Sequence, residues 1–194
     1  MATLADTDTG SQEIRQRYLK LYTGAIADML DKNGYRRQVL PYYVTPFTTV
    51  NRLAGPAFTG QGYPCADTRN DDTQTRLDML DSITPGSVSV WACGGSLECA
   101  HWGEIMSTAA RERGCTGAVI DGGVRDVDFI NDMQYPVFAR FKSSASSIGR
   151  SWRRPSTRWG TAGSPVPSRS RARFFSRTRR ASCRSTLPSC DRSH

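Results

Sequence analysis

Residues 117–120 (GAVI) carry no polar side chain and lie between Gly114 and the turn-forming Asp121-Gly122-Gly123. A run this short and this apolar is the pattern of a strand covered on both faces; a strand with one wet face would alternate. Residues 103–113, just before it, read as a helix, and Gly114 suits the left-handed position that closes one. Residues 87–93 (SVSVWAC), earlier still, are β-branched and alternating, as a strand requires. Strand, helix and covered strand in succession argue for an α/β domain.

The rest of the first 141 residues extends this pattern. Residues 1–10 are small and polar, and are expected to fray as a flexible N-terminus. From Ser11, residues Ile14, Tyr18, Leu19, Leu21 and Tyr22 have helical spacing. A second helix is expected from Thr23, with Ile26, Met29 and Leu30, stopped by Asn33-Gly34. Residues 52–60 (RLAGPAFTG) read as a strand with a Gly-Pro irregularity, and Asp71-Asp72 as the start of a helix with Leu77, Met79 and Leu80 on its apolar side. Pro85-Gly86 turns the chain into the 87–93 strand. After Arg125-Asp126 a helix is expected over about 127–133 and a last strand over 136–141.

The net charge of +8 suggests nucleic acid until the chain is divided at Phe141. Residues 1–141 hold 13 Lys and Arg against 17 Asp and Glu, a balance of −4, whereas residues 142–194 hold 13 against 1, a balance of +12. Nucleic-acid binding is therefore expected only through the tail. Residues 143–194 contain 14 serines, 12 arginines and four prolines, and keep no helix or strand period. One reading of residues 149–194 is a disordered basic arm. Another comes from the genetic code: residues 170–186 (SRARFFSRTRRASCRST), written in G/C-rich codons and read one nucleotide earlier, become a turn followed by an apolar, valine-rich strand. A shift of reading frame after Ile148 would produce this, and the nucleotide sequence across codons 140–194 decides between the two.

Six cysteines without a CxxC pair, and an N-terminus without an apolar stretch behind a basic start, fit a reduced cytoplasmic protein. The apolar runs are far shorter than the roughly 20 residues needed to cross a bilayer, so no membrane span is expected.

The chemistry is concentrated between Trp102 and Asp126. Amides in the first turn of a helix have no intrahelical acceptor and sit at its positive end, so Gly103, Glu104, Ile105 and Met106 suit a carboxylate, unless they meet only water or a cap. Arg125 and Asp126 follow a Gly-Gly loop where a strand ends, the place at which open α/β sheets bind ligands. A guanidinium grips a carboxylate or keto oxygen bidentately, and an aspartate offers a hard oxygen to Mg²⁺ or Mn²⁺. The other use of the pair is structural, with Asp126 capping the following helix and Arg125 pairing with a surface acid. Asp121 has two uses open, orienting Arg125 or satisfying loop amides. Cys99 and His101 are too few for a zinc site and are expected to pack ordinarily. Asp67, Arg69, Asn70, Asp71 and Asp72 form a polar loop, solvated or at the mouth of a pocket. No Ser/His/Asp arrangement and no phosphate-binding glycine loop is visible.

Gly103-Glu104-Ile105-Met106, Ala109-Ala110, Gly114, 117–122 and Val124-Arg125-Asp126 together resemble the family named after the regulator of ribonuclease E activity A, the RraA-like family. The resemblance covers roughly residues 20–148, and the spacing from Gly103 to Arg125-Asp126 is its distinctive part. It implies a single layered β/β/α domain of the swivelling type over 11–148, flanked by N-terminal helices. It also implies a lyase of the class II aldolase type that uses Mg²⁺ or Mn²⁺, cleaves 4-hydroxy-4-methyl-2-oxoglutarate-like acids to pyruvate, and decarboxylates oxaloacetate. On that resemblance the segment 103–106 and Arg125 bind the pyruvyl part of a small 2-oxo acid, Asp126 holds the metal with several waters, and Glu104 orients a water. A homotrimer with sites near subunit boundaries is implied as well. Other members continue past the last matching strand into an Asp-rich turn and a Val-rich strand, where this chain has its Arg/Ser tail. Two alternatives to the lyase stay open: a non-catalytic regulator that binds a ribonuclease, and an inactive homologue lacking its closing strands.

Overall fold

A computed structural model describes residues 4–61 and 73–147. Two sheets form within it. The larger has the order β1-β7-β5-β3-β2, built from β1 (Thr45–Pro46), β2 (Ala57–Gln61), β3 (Val88–Ala92), β5 (Ala118–Asp121) and β7 (Val137–Ala139). All its pairings are parallel except that of β1 with β7. The smaller sheet, β4-β6-β8, is parallel throughout and uses β4 (Ala100–Trp102), β6 (Gly123–Val124) and β8 (Phe141–Lys142). This is the expected layered α/β domain.

The link between the sheets is a repeated step in the chain. After β5 a single residue, Gly122, carries the backbone into β6, and after β7 a single residue, Arg140, carries it into β8. A longer loop, 93–99, takes β3 to β4. The strands of the small sheet thus continue those of the large one, and helices α4 (Glu104–Glu112) and α5 (Val127–Asp132) start immediately beyond β4 and β6. Parallel neighbours need crossovers of this kind, because a tight turn only joins antiparallel strands.

Burial follows the sequence pattern where the pattern was strong. All four residues of β5 are buried, as the unbroken apolar run requires. Gly114 closes α4 with φ +78°, a conformation that its missing Cβ permits. Met79 and Leu80 of α3 (Thr73–Asp81) enter the core, while Leu77 stays 43% exposed. Phe58, Leu80, Trp91, Trp102, Ile120 and Ile130 centre that core. Trp91 and Trp102 meet edge to face with ring centroids 5.4 Å apart, one from each sheet. Each indole N–H donates to a hydroxyl, Trp91 to Ser89 at 2.9 Å and Trp102 to Ser107 at 2.8 Å, so neither buried donor is left without an acceptor.

Several boundaries differ from the sequence reading, and the strand expected over 52–60 is confined to β2 at Ala57–Gln61. Helix α1 spans Leu4–Lys20 and so begins before the Ser11 start that the apolar spacing indicates. The expected last strand is split by Arg140 into β7 and β8, and the Asp121-Gly122-Gly123 loop is mostly strand. β1 and β4 went unread because two or three residues are too few to show a period. Helix α2 (Thr23–Lys32) ends where Asn33-Gly34 predicted, yet buries no residue. It joins the domain through neighbouring hydrogen bonds instead: Arg52 Nη2 donates to the carbonyl of Leu21 at 2.9 Å, and Arg15 Nε to that of Ala54 at 3.0 Å.

Candidate functional site

The end of β4, the start of α4 and the residues after β6 converge on one place. Parallel pairing of β4 with β6 sets Trp102 beside Val124. The next residue is held there as well, since the Arg125 amide donates to the Trp102 carbonyl at 3.0 Å. Arg125 and Asp126 therefore lie against the first turn of α4, as the spacing in the sequence suggested.

Gly103 caps α4 with extended backbone (φ −161°), so its missing side chain matters for space. A Cβ there would stand 2.7 Å from Asp126 Oδ2 and 3.0 Å from Arg125 Cγ. Glycine is what lets the pair approach the helix. Asp126 Oδ2 then accepts from the Glu104 amide at 3.4 Å and pairs with Arg125 Nε at 3.2 Å, both side chains being 35% exposed.

Asp126 takes a left-handed conformation (φ 56°, ψ 36°) at the N-cap position of α5, but its side chain does not cap that helix. A non-glycine residue held there is uncommon and costs about 1 kcal/mol or more, which the surroundings must offset. Asp126 therefore does not cap its own helix, while Arg125 does pair with a partly exposed acid, Asp126 itself. The carboxylate is turned toward α4, leaving an arginine fork, a carboxylate and helix amides on one partly open surface. Ser107 N donates to the Gly103 carbonyl at 3.0 Å as the first bond of α4, so no carbonyl of the helix accepts from the amides of Glu104, Ile105 and Met106. The Glu104 side chain is exposed, Ile105 is 70% exposed, and Met106 packs its side chain on the core.

Asp121 is not beside Arg125 in an ion pair, contrary to one of its two expected uses. Its Oδ1 pairs with Arg140 Nη1 at 3.4 Å. Burial raises its carboxyl to about 6, against the lowering effect of Arg140. Cys99 and His101 are both buried, with Sγ 3.5 Å from Nε2, which is the ordinary packing expected of them. Burial, helped by the charge of Arg76, lowers His101 to about 4 and so keeps it neutral. Among the described residues no group of three or more His, Cys, Asp and Glu could form a metal cage. The polar loop with Asp67, Arg69, Asn70, Asp71 and Asp72 lies outside the described residues.

Arg140 and Tyr43 escaped the sequence reading. The guanidinium of Arg140 lies 4.4 Å from the centroid of the Tyr43 ring, in addition to its pairing with Asp121. Nothing in either neighbourhood announces this, because the two residues are far apart in the chain.

The fold and site define a two-sheet α/β protein that carries an Arg-Asp pair on the N-terminus of a helix. Comparison with known proteins agrees: a model of the RraA-like family, described as Aldolase/RraA, matches residues 23–157. The chain belongs to the RraA-like family. A Burkholderia mallei protein provisionally assigned as a 4-hydroxy-4-methyl-2-oxoglutarate aldolase is 33% identical over 102 residues, covering 53% of this chain and 58% of that protein. A crystal structure reported for novel cellulases from gut-associated microbes superposes with a TM-score of 0.68 at 31% identity, covering 73% of this chain and 63% of that one. Streptomyces coelicolor RraAS2, described as an unusual member of the RNase ES inhibitor RraA family, shares the fold with a TM-score of 0.61 at 22% identity, over 72% of this chain and 67% of its own. The chain spans between 21% and 58% of the length of curated relatives.

Proposed function

We propose that this protein is a divalent-metal-dependent lyase of the class II aldolase type, releasing pyruvate from 4-hydroxy-4-methyl-2-oxoglutarate-like acids and decarboxylating oxaloacetate. The observation that carries the reading is the orientation of Asp126, strained in backbone and turned from its own helix toward Arg125 and the Glu104 amide.

The donor set fits a hard cation held mainly by water and substrate. Mg²⁺ commonly takes only one or two carboxylates from a protein, and Asp126 supplies one at the half-open surface. Asp126 would hold the ion, with exposed Glu104, whose amide meets that carboxylate, to orient its water. A bound Mg²⁺ or Mn²⁺ supplies positive charge to the keto oxygen of the substrate.

The chain's own groups do the rest. Arg125 grips the pyruvyl carboxylate through its fork, and the first-turn amides of α4 receive the remaining negative charge. Both stabilise charge that grows on the pyruvyl oxygens as the bond between C3 and C4 breaks, which is where preorganised donors are most effective. In that step the C4 hydroxyl gives up its proton and C3 takes one up, with a water oriented by Glu104 as the carrier. A homotrimer with sites near subunit boundaries would cover large apolar side chains exposed on α4 and α5, such as Ile105 and Phe129.

The test is pyruvate release from oxaloacetate and from 4-hydroxy-4-methyl-2-oxoglutarate. Release should stop with a chelator, return with Mg²⁺ or Mn²⁺, and vanish in Arg125→Ala. Unchanged turnover in that variant removes Arg125 from the site, and no release from the parent chain with either metal refutes the lyase.

A further inference from the structure

The segment that delivers Arg125 and Asp126 is very short, paired between β4 and β8. β6 has two residues, tied by the Arg125 amide to Trp102 O and by the Ser143 amide to Val124 O, both at 3.0 Å. Just upstream, Gly122 threads a passage so narrow that a Cβ would lie 2.7 Å from His101 Nδ1 and 2.8 Å from Cys93 Sγ. Arg140 closes this passage from the other side. Its backbone amide donates to the Gly122 carbonyl at 3.0 Å, its guanidinium returns to Asp121, and Tyr43 covers the guanidinium. One residue thus holds two consecutive positions of the chain just ahead of the reactive pair.

The groups around Asp121 come from several elements: Arg140 between β7 and β8, Cys93 after β3, Cys99 and His101 at β4, Arg76 of α3, and Tyr43 before β1. Among the described residues Asp121 Oδ1 has no hydrogen bond beyond its ion pair. The Asp121 side chain is 12% exposed, so losing the pair leaves a buried charge without compensation, a costly state that the segment avoids by moving or by taking up a proton.

We infer that the Asp121–Arg140 ion pair, covered by Tyr43, is a positioning clamp that fixes the strand carrying Arg125 and Asp126. Its effect on turnover rests on the lyase reading above; its effect on the backbone does not. With the Asp121 carboxyl near 6, the ion pair is charged above that pH; below it the carboxyl is neutral and, still buried, no longer holds Arg140 by charge.

Amide hydrogen exchange of the full chain between pH 5 and 8, corrected for intrinsic rates, reads the clamp directly. Protection of the Arg125 and Arg140 amides should fall about tenfold as pH drops through 6, a local opening equal to about one pKa unit of coupling. In Asp121→Asn it should be low at every pH, and Arg140→Lys, which keeps the charge, should retain part of it at high pH. Loss spread evenly to the amides of Val119 and Ile120 would mean a merely structural role and overturns the proposal, as does unchanged protection in Asp121→Asn. In the pyruvate assay, kcat/KM should show an acid limb near pH 6 that flattens in Asp121→Asn, with kcat falling more than KM rises. A parent without lyase activity fails the earlier reading while exchange still decides the clamp; an active parent with unaltered exchange in Asp121→Asn refutes the clamp alone.

Discussion

Gly103→Ala separates folding from the proposed function because the three atoms nearest the added methyl group all belong to the Arg125–Asp126 pair. The Cβ would stand 2.7 Å from Asp126 Oδ2, and ordinary contact begins at 3.4 Å, so the oxygen must retreat by about 0.7 Å (3.4 less 2.7). That oxygen is the end of a half-exposed side chain and swings away easily. The remaining penalty is the exchange of a tolerated N-cap residue for a poor one, about 1 kcal/mol. In a domain of this size that lowers Tm by about 3 to 6 °C. For the chemistry the shift is serious: a displacement approaching 1 Å at a catalytic group costs up to about a hundredfold, so kcat/KM for oxaloacetate should fall by about 10- to 100-fold. Differential scanning fluorimetry and a coupled pyruvate assay at saturating Mn²⁺ measure the two effects separately. Turnover within twofold of the parent would refute the argument that Gly103 makes room for the Arg125–Asp126 pair.

Further outcomes follow from the buried polar groups and the core. His101 is held near 4 against 6.5 when unfolded, so the unfolded chain binds more protons between those values and this contribution to stability grows as pH rises through that window. Asp121, near 6 against 3.8, works in the opposite direction over nearly the same range. Each effect is about 3 kcal/mol and they nearly cancel, so urea melts of Asp121→Asn should gain stability steeply from pH 4 to 6.5 where the parent does not; equal slopes would contradict the assignment. Trp102→Phe leaves the buried Ser107 hydroxyl without its donor and opens space at the junction of the sheets, and should cost about 2 to 4 kcal/mol in chemical denaturation. Light scattering should give a particle of three chains, which a 21.4 kDa monomer peak would rule out. Removal of residues 150–194 should abolish any salt-dependent binding to DNA of arbitrary sequence, since the domain up to Phe141 carries a balance of −4.

The sequence by itself determined the elements whose signals are local. A covered strand at 118–121, a helix stopped by Gly114, and a helix ended by Asn33-Gly34 each follow from residues within one turn or one strand length, and each is found. The spacing from Gly103 to Arg125-Asp126 likewise located the candidate site before any coordinates. What the sequence left open was decided by pairing across the sheets. Two-residue strands such as β6 and β8 have no readable period and exist because β4 lies along β6 and β6 along β8 to complete their hydrogen bonds. Whether Asp126 caps its own helix or turns to α4 depends on one left-handed backbone position, and only the approach of α4 decides it. The partner of Asp121 was likewise beyond local reading, because β5 and β7 become neighbours through tertiary pairing, which sets Arg140 across from a carboxylate 19 positions earlier. Residue types and spacing pointed to a candidate site; the parallel register of the strands chose which charge meets which.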